Sequence, residues 1–407
     1  MNSHAKPLPV QAPFWTPGVL VLTAFMAAGG AFIVARFMGG LQAVTNLDQT
    51  CPWGIWIGID VATGVALAAG GFTTAALAYI FGRRRYEPVV RPALFTAMLG
   101  YTMVPIALMI DIGRSWAIWH PIIYWQGNSV LFEVAMCVVI YTHVLYLEFI
   151  PIVIERFKGR VNLPGALKAM NGIAERFLGL ADRTLGKVMW VFVIGGVVLS
   201  CMHQSGLGSL MLIAPSKLHP LWYTPILPLL FLTSAIAVGF PMVIFEYTLA
   251  SSSIPLEDET QLMASLGRLT VVLLGIPLAL KLGDMAVRGT YVHLFDGTSQ
   301  SNAFLVELLL VGVLPWLMLL SPQVRQSRRW LFVAVCFVIG GVVLNRLNVF
   351  LVGYRPPHAQ VSYFPSIGEM AVTAGLIAAL MFLYRLLVTH LPILSPRRTR
   401  TPREVIS

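Results

Sequence analysis

The chain has 407 residues, 57% of them hydrophobic and only 11% charged, with a net charge of +10 at pH 7 and a mean hydropathy of +0.77. Soluble domains carry roughly one-quarter charged residues, so this composition excludes a soluble catalytic domain and places the chain in lipid. The basic excess sits in short loops between apolar segments rather than along one stripe, so it reports topology and not a nucleic-acid surface.

Apolar stretches of about twenty residues recur along the chain, each long enough at about 1.5 Å per residue to cross a hydrocarbon core of roughly 30 Å. Ten spans are predicted: Pro17–Phe37, Trp53–Phe81, Pro92–Asp111, Ser129–Ile154, Lys187–His203, Tyr223–Ala250, Met263–Arg288, Ala303–Leu320, Leu331–Val352 and Ser366–His390. The leading segment MNSHAKPLPVQAP is polar and proline-rich, and no small-residue cleavage site follows the first span, which therefore reads as a retained helix. The expected organisation is a tail over 1–16, a polytopic membrane domain over 17–390 and a basic tail over 391–407.

Orientation follows from the loops. Arg83, Arg84, Arg85 and Arg91 follow the second span, Arg156, Lys158 and Arg160 the fourth, Arg325, Arg328 and Arg329 the eighth, and PRRTRTPR the tenth. All four sets lie on one side, and the opposite loops are rich in Trp, Tyr and Pro, as in RSWAIWHPIIYWQGN. By the positive-inside rule the basic side is cytoplasmic, both termini included, and the protein is a multi-pass protein of the cytoplasmic (inner) membrane. The stretch Asn162–Asp182 is too polar to span; its amphipathic spacing fits a helix lying on the inner interface or an ordinary connecting helix. The fold class is all-α integral membrane. An offset of four preserves direction, so spans two to five and six to nine read as two four-helix bundles, with the first and last spans flanking, although no sequence repeat is visible.

Ionisable residues within spans are costly, and their depth is informative. Asp60 lies about 10 Å below the outer interface, seven residues past Trp53. Asp111 and Arg114 close the third span at that same face, Glu133 is about a turn inside the fourth, and His203 ends the fifth. These groups are expected to share one outer, charged pocket drawn mainly from residues 53–210, with Asp111 and Arg114 paired at i,i+3. Reducing a quinone takes two electrons and two protons, and a histidine flanked by carboxylates suits that chemistry. Asp60, Asp111, Arg114, Glu133 and His203 are the candidates for the head group and its protonation. The small residues of HQSGLGS permit close approach, which adds Gln204 and Ser205, with Trp53, to the candidate pocket.

A second set lies nearer the cytoplasm. Tyr101, Glu148 and Glu246, with His143, are candidates for a proton route between faces or for residues reaching headgroups. In the second half Lys281, Asp284, Arg288, Glu307, Arg346 and Glu369 gather toward the outer side, and Lys281 with Asp284 at i,i+3 reads as a structural pair. Cys51, Cys137, Cys201 and Cys336 lie far apart without a CxxC pair, so no iron–sulfur cluster or zinc site is expected in this chain. Haem is not expected, because His143, His203 and His390 lie at unlike depths. A secondary transporter is a reading of another class, but its coupling carboxylates belong near the midplane and these favour the interfaces.

The segments CPWGIWIGIDVATGVALAAGGF, RRRYEPVVRPALFTAMLGYT, IDIGRSW, NSVLFEVAMCVVIYT, LEFIPIVIERF, MHQSGLGSLM, KLHPLW, VIFEYTLA and YFPSIGE run in order across nearly the whole chain. In these the chain resembles the NrfD family of quinone-reactive membrane subunits, and within it those of hydrogenase-2 type. The resemblance implies a haem-free subunit bound to a periplasmic ferredoxin-like iron–sulfur subunit. That partner would bring electrons from the small and large subunits of a [NiFe] uptake hydrogenase, and this chain would pass them to menaquinone or ubiquinone. It marks Asp60, Arg91, Tyr101, Glu133, Glu148, His203 and Glu246, whereas His143 matches no position associated with the family. Members of the family also serve polysulfide, tetrathionate, nitrite and sulfite chemistry, so the resemblance also implies, as the alternative, the quinone subunit of another such oxidoreductase.

Overall fold

The computed structural model describes residues 7–162, 164–213, 215–254, 256, 258–356 and 363–396. Among the described residues, ten helices are long and apolar enough to cross a membrane: α1 Pro17–Gly39, α2 Trp56–Ile80, α3 Arg84–Asp111, α4 Val130–Phe157, α5 Lys168–Ile213, α6 Leu227–Ser253, α7 Thr260–Arg288, α8 Ser299–Leu320, α9 Arg328–Val352 and α10 Ile367–His390. The starts carry the expected signals. Thr16 caps α1 ahead of Pro17, Ser129 caps α4, Ser327 caps α9, and Ser366 with Glu369 forms a capping box on α10. The α-helical part of α3 begins at Glu87 because Pro88 fits its first turn, where a missing N–H costs nothing; Pro92, taken as the start, lies inside.

The marked departure is α5. Its α-helical part, Asn171–Ser209, is 39 residues and therefore about 58 Å long, nearly twice a hydrocarbon core. The amphipathic stretch is thus the inward continuation of the span and not a separate interfacial helix. It is pinned to the end of α4 by a 2.6 Å Lys158–Asp182 ion pair and by a hydrogen bond from the Gly159 N–H to Glu175. At its other end α5 runs past the polar HQSG, which places His203 within the bundle and not at its end.

Two four-helix bundles form, α2–α5 and α6–α9, each with its consecutive helices packed side by side and its first against its last. They join through α2 against α6 and α9 and through α5 against α6, while α10 lies on α2 and α3 and carries α1 on its other side. Small residues set the close crossings: a Cβ on Gly29 of α1 would lie 3.0 Å from the Gly375 Cα of α10, and one on Gly70 of α2 would lie 3.1 Å from the Gly239 carbonyl of α6. The basic loops share one end, where Arg85 bonds Ser265 and Arg328 bonds Ser251. The leading segment returns there too, with Leu8 and Val10 N–H donating to Leu394 and Val388 carbonyls at 3.0 and 3.1 Å. Exposed Trp116, Trp119, Tyr124 and Trp125 mark the opposite end.

Three spans contain π-helical turns: α2 over Trp56–Thr63 and Ala76–Ile80, α8 over Val306–Val313, and α9 over Asn348–Val352. Such turns re-aim side chains and are common at functional places. Those in α2 and α8 hold Asp60 and Glu307.

Candidate functional site

At the aromatic-rich end a cleft lies between the loop after α1 and the end of α3, walled by Leu41, Asp48, Trp53, Asp111 and Gly113. Asp48 orders the loop by accepting from the Thr50 hydroxyl at 2.7 Å and the Cys51 N–H at 2.6 Å, bonds that hold its carboxyl below the usual range. Gly54 is required where the loop meets α10, since a Cβ there would lie 2.8 Å from Glu369 Oε1. Trp53 stacks on Tyr354 with ring centroids 5.9 Å apart.

Beneath the cleft three carboxyl groups gather. Asp60 Oδ2 accepts from the Thr373 hydroxyl of α10 at 2.7 Å. Glu369 accepts from the Ser366 and Asn46 N–H groups at 2.8 and 3.1 Å and from the Tyr363 hydroxyl at 2.5 Å. Burial and that donation hold the Tyr363 phenol above its usual range, so it remains protonated. Asp111 interacts electrostatically with both Asp60 and Glu369, and its Oδ1 is buried without a hydrogen-bond partner.

The cation beside Asp111 is Arg36 of α1, which is 5% exposed. It donates from Nε to the Ile110 carbonyl at 2.6 Å and from Nη2 to the Ile112 carbonyl at 2.6 Å and the Ser115 hydroxyl at 3.1 Å. The expected Asp111–Arg114 pair is not formed. The helix stops at Asp111, Ile112 is extended, and the i,i+3 geometry ends with it; Arg114 is exposed. Glu133 is also exposed, in the first turn of α4 and outside the cluster. Arg36→Met removes three donated hydrogen bonds, among them the buried one to the Ile110 carbonyl, and is expected to cost about 3 kcal/mol. A thermal melt of the detergent-solubilised protein measures this, and an unchanged midpoint would dismiss the role given to Arg36.

His203 is fully buried in the α2–α5 core and does not line the cleft. Its Nδ1 stands 3.1 Å from the Tyr101 hydroxyl, while Nε2 is buried without a partner. Gln204 braces α5 on α2 by donating to the Val65 carbonyl at 2.8 Å, and Ser205 bonds within its own helix. From His203 a file of groups runs inward: Tyr101, Tyr141 with its ring 4.5 Å from Tyr101, Ser200 beside both phenols, and Glu148, whose Oε1 faces Gly196. Glu246 occupies a separate pocket between α3, α6 and α10 near the basic end, accepting from Thr96 with Tyr384 beside it. Arg91 ion-pairs with Glu155 at 2.8 Å at that same end. His143 faces outward and bonds its own helix at the Val139 carbonyl.

The single outer layer expected from depth is therefore two places. Asp60 and Asp111 meet Glu369 under the cleft, and His203 heads a separate file. Arg36, Tyr363 and Thr373 went unrecognised, because each stands in or beside a flanking span far away in sequence. Their one local signal is a lone arginine before Gly39–Gly40. Lys281 pairs with Glu307 and not with Asp284, which binds Arg288 at 3.2 Å, because the π-helical turn brings Glu307 inward.

Residues 43–357 match the family model described as "Polysulphide reductase, NrfD". The chain is 38% identical over 390 residues to a protein of Nitratidesulfovibrio vulgaris, covering 93% of this chain and 95% of that one. It is 34% identical over 401 residues to the probable Ni/Fe-hydrogenase 2 b-type cytochrome subunit of Escherichia coli, covering 97% and 96%. It is 25% identical over 425 residues to the menaquinone reductase integral membrane subunit of Nitratidesulfovibrio vulgaris, covering 95% and 96%.

Proposed function

This chain belongs to the NrfD family of respiratory oxidoreductase membrane subunits, and we propose that its own part is to reduce quinone at the cleft under which Asp111 lies. The observation that carries the reading is the Asp111 carboxyl, beside Trp53 on the cleft wall and coupled to Asp60, with one buried oxygen that no protein group satisfies. A quinone carbonyl is the complement of a protonated carboxyl, and Trp53 offers an aromatic face to its ring. The name of the menaquinone reductase relative supports the same chemistry.

Menaquinone or ubiquinone supplies the acceptor, and two electrons come from a ferredoxin-like iron–sulfur partner docked on the aromatic-rich, periplasmic end. Asp111 donates a proton to one carbonyl and is recharged from Asp60, to which it is electrostatically coupled, and the other carbonyl takes the second proton from water in the cleft. Arg36 positions the end of α3 and steadies the carboxylate that remains. His203, Tyr101 and Glu148 lead protons along the first bundle, and Glu246 opens toward the basic, cytoplasmic end. Quinone makes no metal demand on these residues.

The finer reading makes the donor a periplasmic [NiFe] uptake hydrogenase of small and large subunits, in keeping with the name of the Escherichia coli relative. Hydrogen-driven reduction of a quinone analogue is measured in membranes with and without this chain, with viologen reduction as the control for the hydrogenase itself. Loss of quinone reduction with viologen reduction retained is the expected result. If neither changes, hydrogen is the wrong donor.

A further inference from the structure

The second bundle encloses a cavity between α6, α7, α8 and α9, with Lys281, Glu307 and Asn345 at its polar end and Leu278, Val311 and Val342 along its body. Glu307 is engaged on every side: Lys281 pairs with it, and Trp222, Asn345 and Asn348 donate to it at 3.0, 2.7 and 2.7 Å. Arg346, one residue from the lining, is 0% exposed. It has only neutral acceptors, the Asn345 side chain at 2.6 Å, the Phe231 carbonyl at 3.1 Å and the Ser234 hydroxyl at 3.0 Å, and its Nε has no partner.

Fully buried Arg346 and partly buried Lys281 thus share Glu307, because Asp284, the other carboxylate on the cavity wall, is taken by Arg288. A buried charge short of counter-charge is costly within a membrane. Asn345 and Ser234, which hold Arg346, both face the cavity, so an electron-rich group placed there would meet the excess. Entry from the bilayer would run between α7 and α8, where their packing is thinnest. Helix α7 packs well on α8 along Leu314–Leu320 but sparsely along the π-helical Val306–Val313, where Leu309 and Leu310 are exposed.

We propose that this cavity binds an amphipathic molecule from the bilayer, with an acceptor oxygen at Lys281 and an apolar chain along Leu278 and Val311. An isoprenoid quinone and a phospholipid share that chemistry. The site is separate from the Asp111 cleft and does not depend on the reading given for it.

Membranes containing the full chain are photolabelled either with an azidoquinone bearing an isoprenoid tail or with phosphatidylglycerol carrying an azido acyl chain. Each is tested with and without excess unlabelled competitor, and the labelled peptides are mapped. Saturable labelling of α7 and α8 by one probe is expected, and that probe identifies the source. Lys281→Met should weaken it about tenfold, as for loss of one charge-assisted contact. Leu278→Trp, which fills the cavity and spares the polar network, should abolish it even where Lys281→Met fails to fold. Asp111→Asn should leave this labelling unchanged, which separates the site from the outer cleft. Absence of saturable labelling by either probe, or wild-type labelling of Leu278→Trp, overturns the proposal.

Discussion

Asp111→Asn is expected to lower quinone-linked turnover roughly 100-fold, the usual order for removing a positioned proton donor. The amide keeps the volume and can still donate a hydrogen bond, so the quinone should bind with little change in KM while kcat falls. Reduction of viologen by the partner enzyme should be untouched, because that electron path ends before this chain. Asp111→Glu is the companion variant. Its carboxyl is one methylene longer, and partial recovery of kcat separates a need for a titratable group from a need for this shape. Turnover of Asp111→Asn within about threefold of wild type would remove Asp111 from the chemistry and leave it a structural neighbour of Arg36.

Glu148→Gln is expected to slow turnover by roughly tenfold or more through loss of an obligatory proton carrier. Because a neutral side chain at that depth also changes packing, a second variant tests the same point by displacement. A Cβ at position 196 would lie 2.9 Å from Glu148 Oε1. That atom is the free end of a flexible side chain, so Gly196→Ala should fold normally and push the carboxyl aside. Both variants should therefore show slowed steady-state turnover and slowed proton uptake, measured with a pH dye in proteoliposomes, while quinone labelling at the cleft persists. Normal proton uptake in both would show that Tyr101, Tyr141 and Glu148 form a structural core and not a route.

Much of this organisation is legible from residue order. Eight of the ten predicted spans fall within a few residues of those observed, while α3 starts earlier and α5 extends well past both predicted ends; the agreement arises because twenty-residue apolar stretches and Ser, Thr or Pro at their starts are local signals. Depth arithmetic also placed Asp60 and Asp111 together. It failed for His203, because the polar run HQSG resembles a span's end; in the fold Gln204 is satisfied inside by the Val65 carbonyl and the helix continues.

What the sequence by itself determined is the all-helical membrane fold and the gathering of its basic loops at one end, since both follow from hydropathy, charge and strict alternation of direction; alternation is consistent with the two bundles, but helix packing decides them. What only the tertiary structure decided is which charged groups meet. Thr373 reaches Asp60 across 313 residues of sequence, Arg36 replaces the nearer Arg114 at Asp111, and Glu369 joins the first bundle's cluster instead of the second's. The physical reason is that these partners depend on helix rotation and crossing, set by glycine contacts such as Gly29 with Gly375 and by π-helical turns that shift a face partway round the helix.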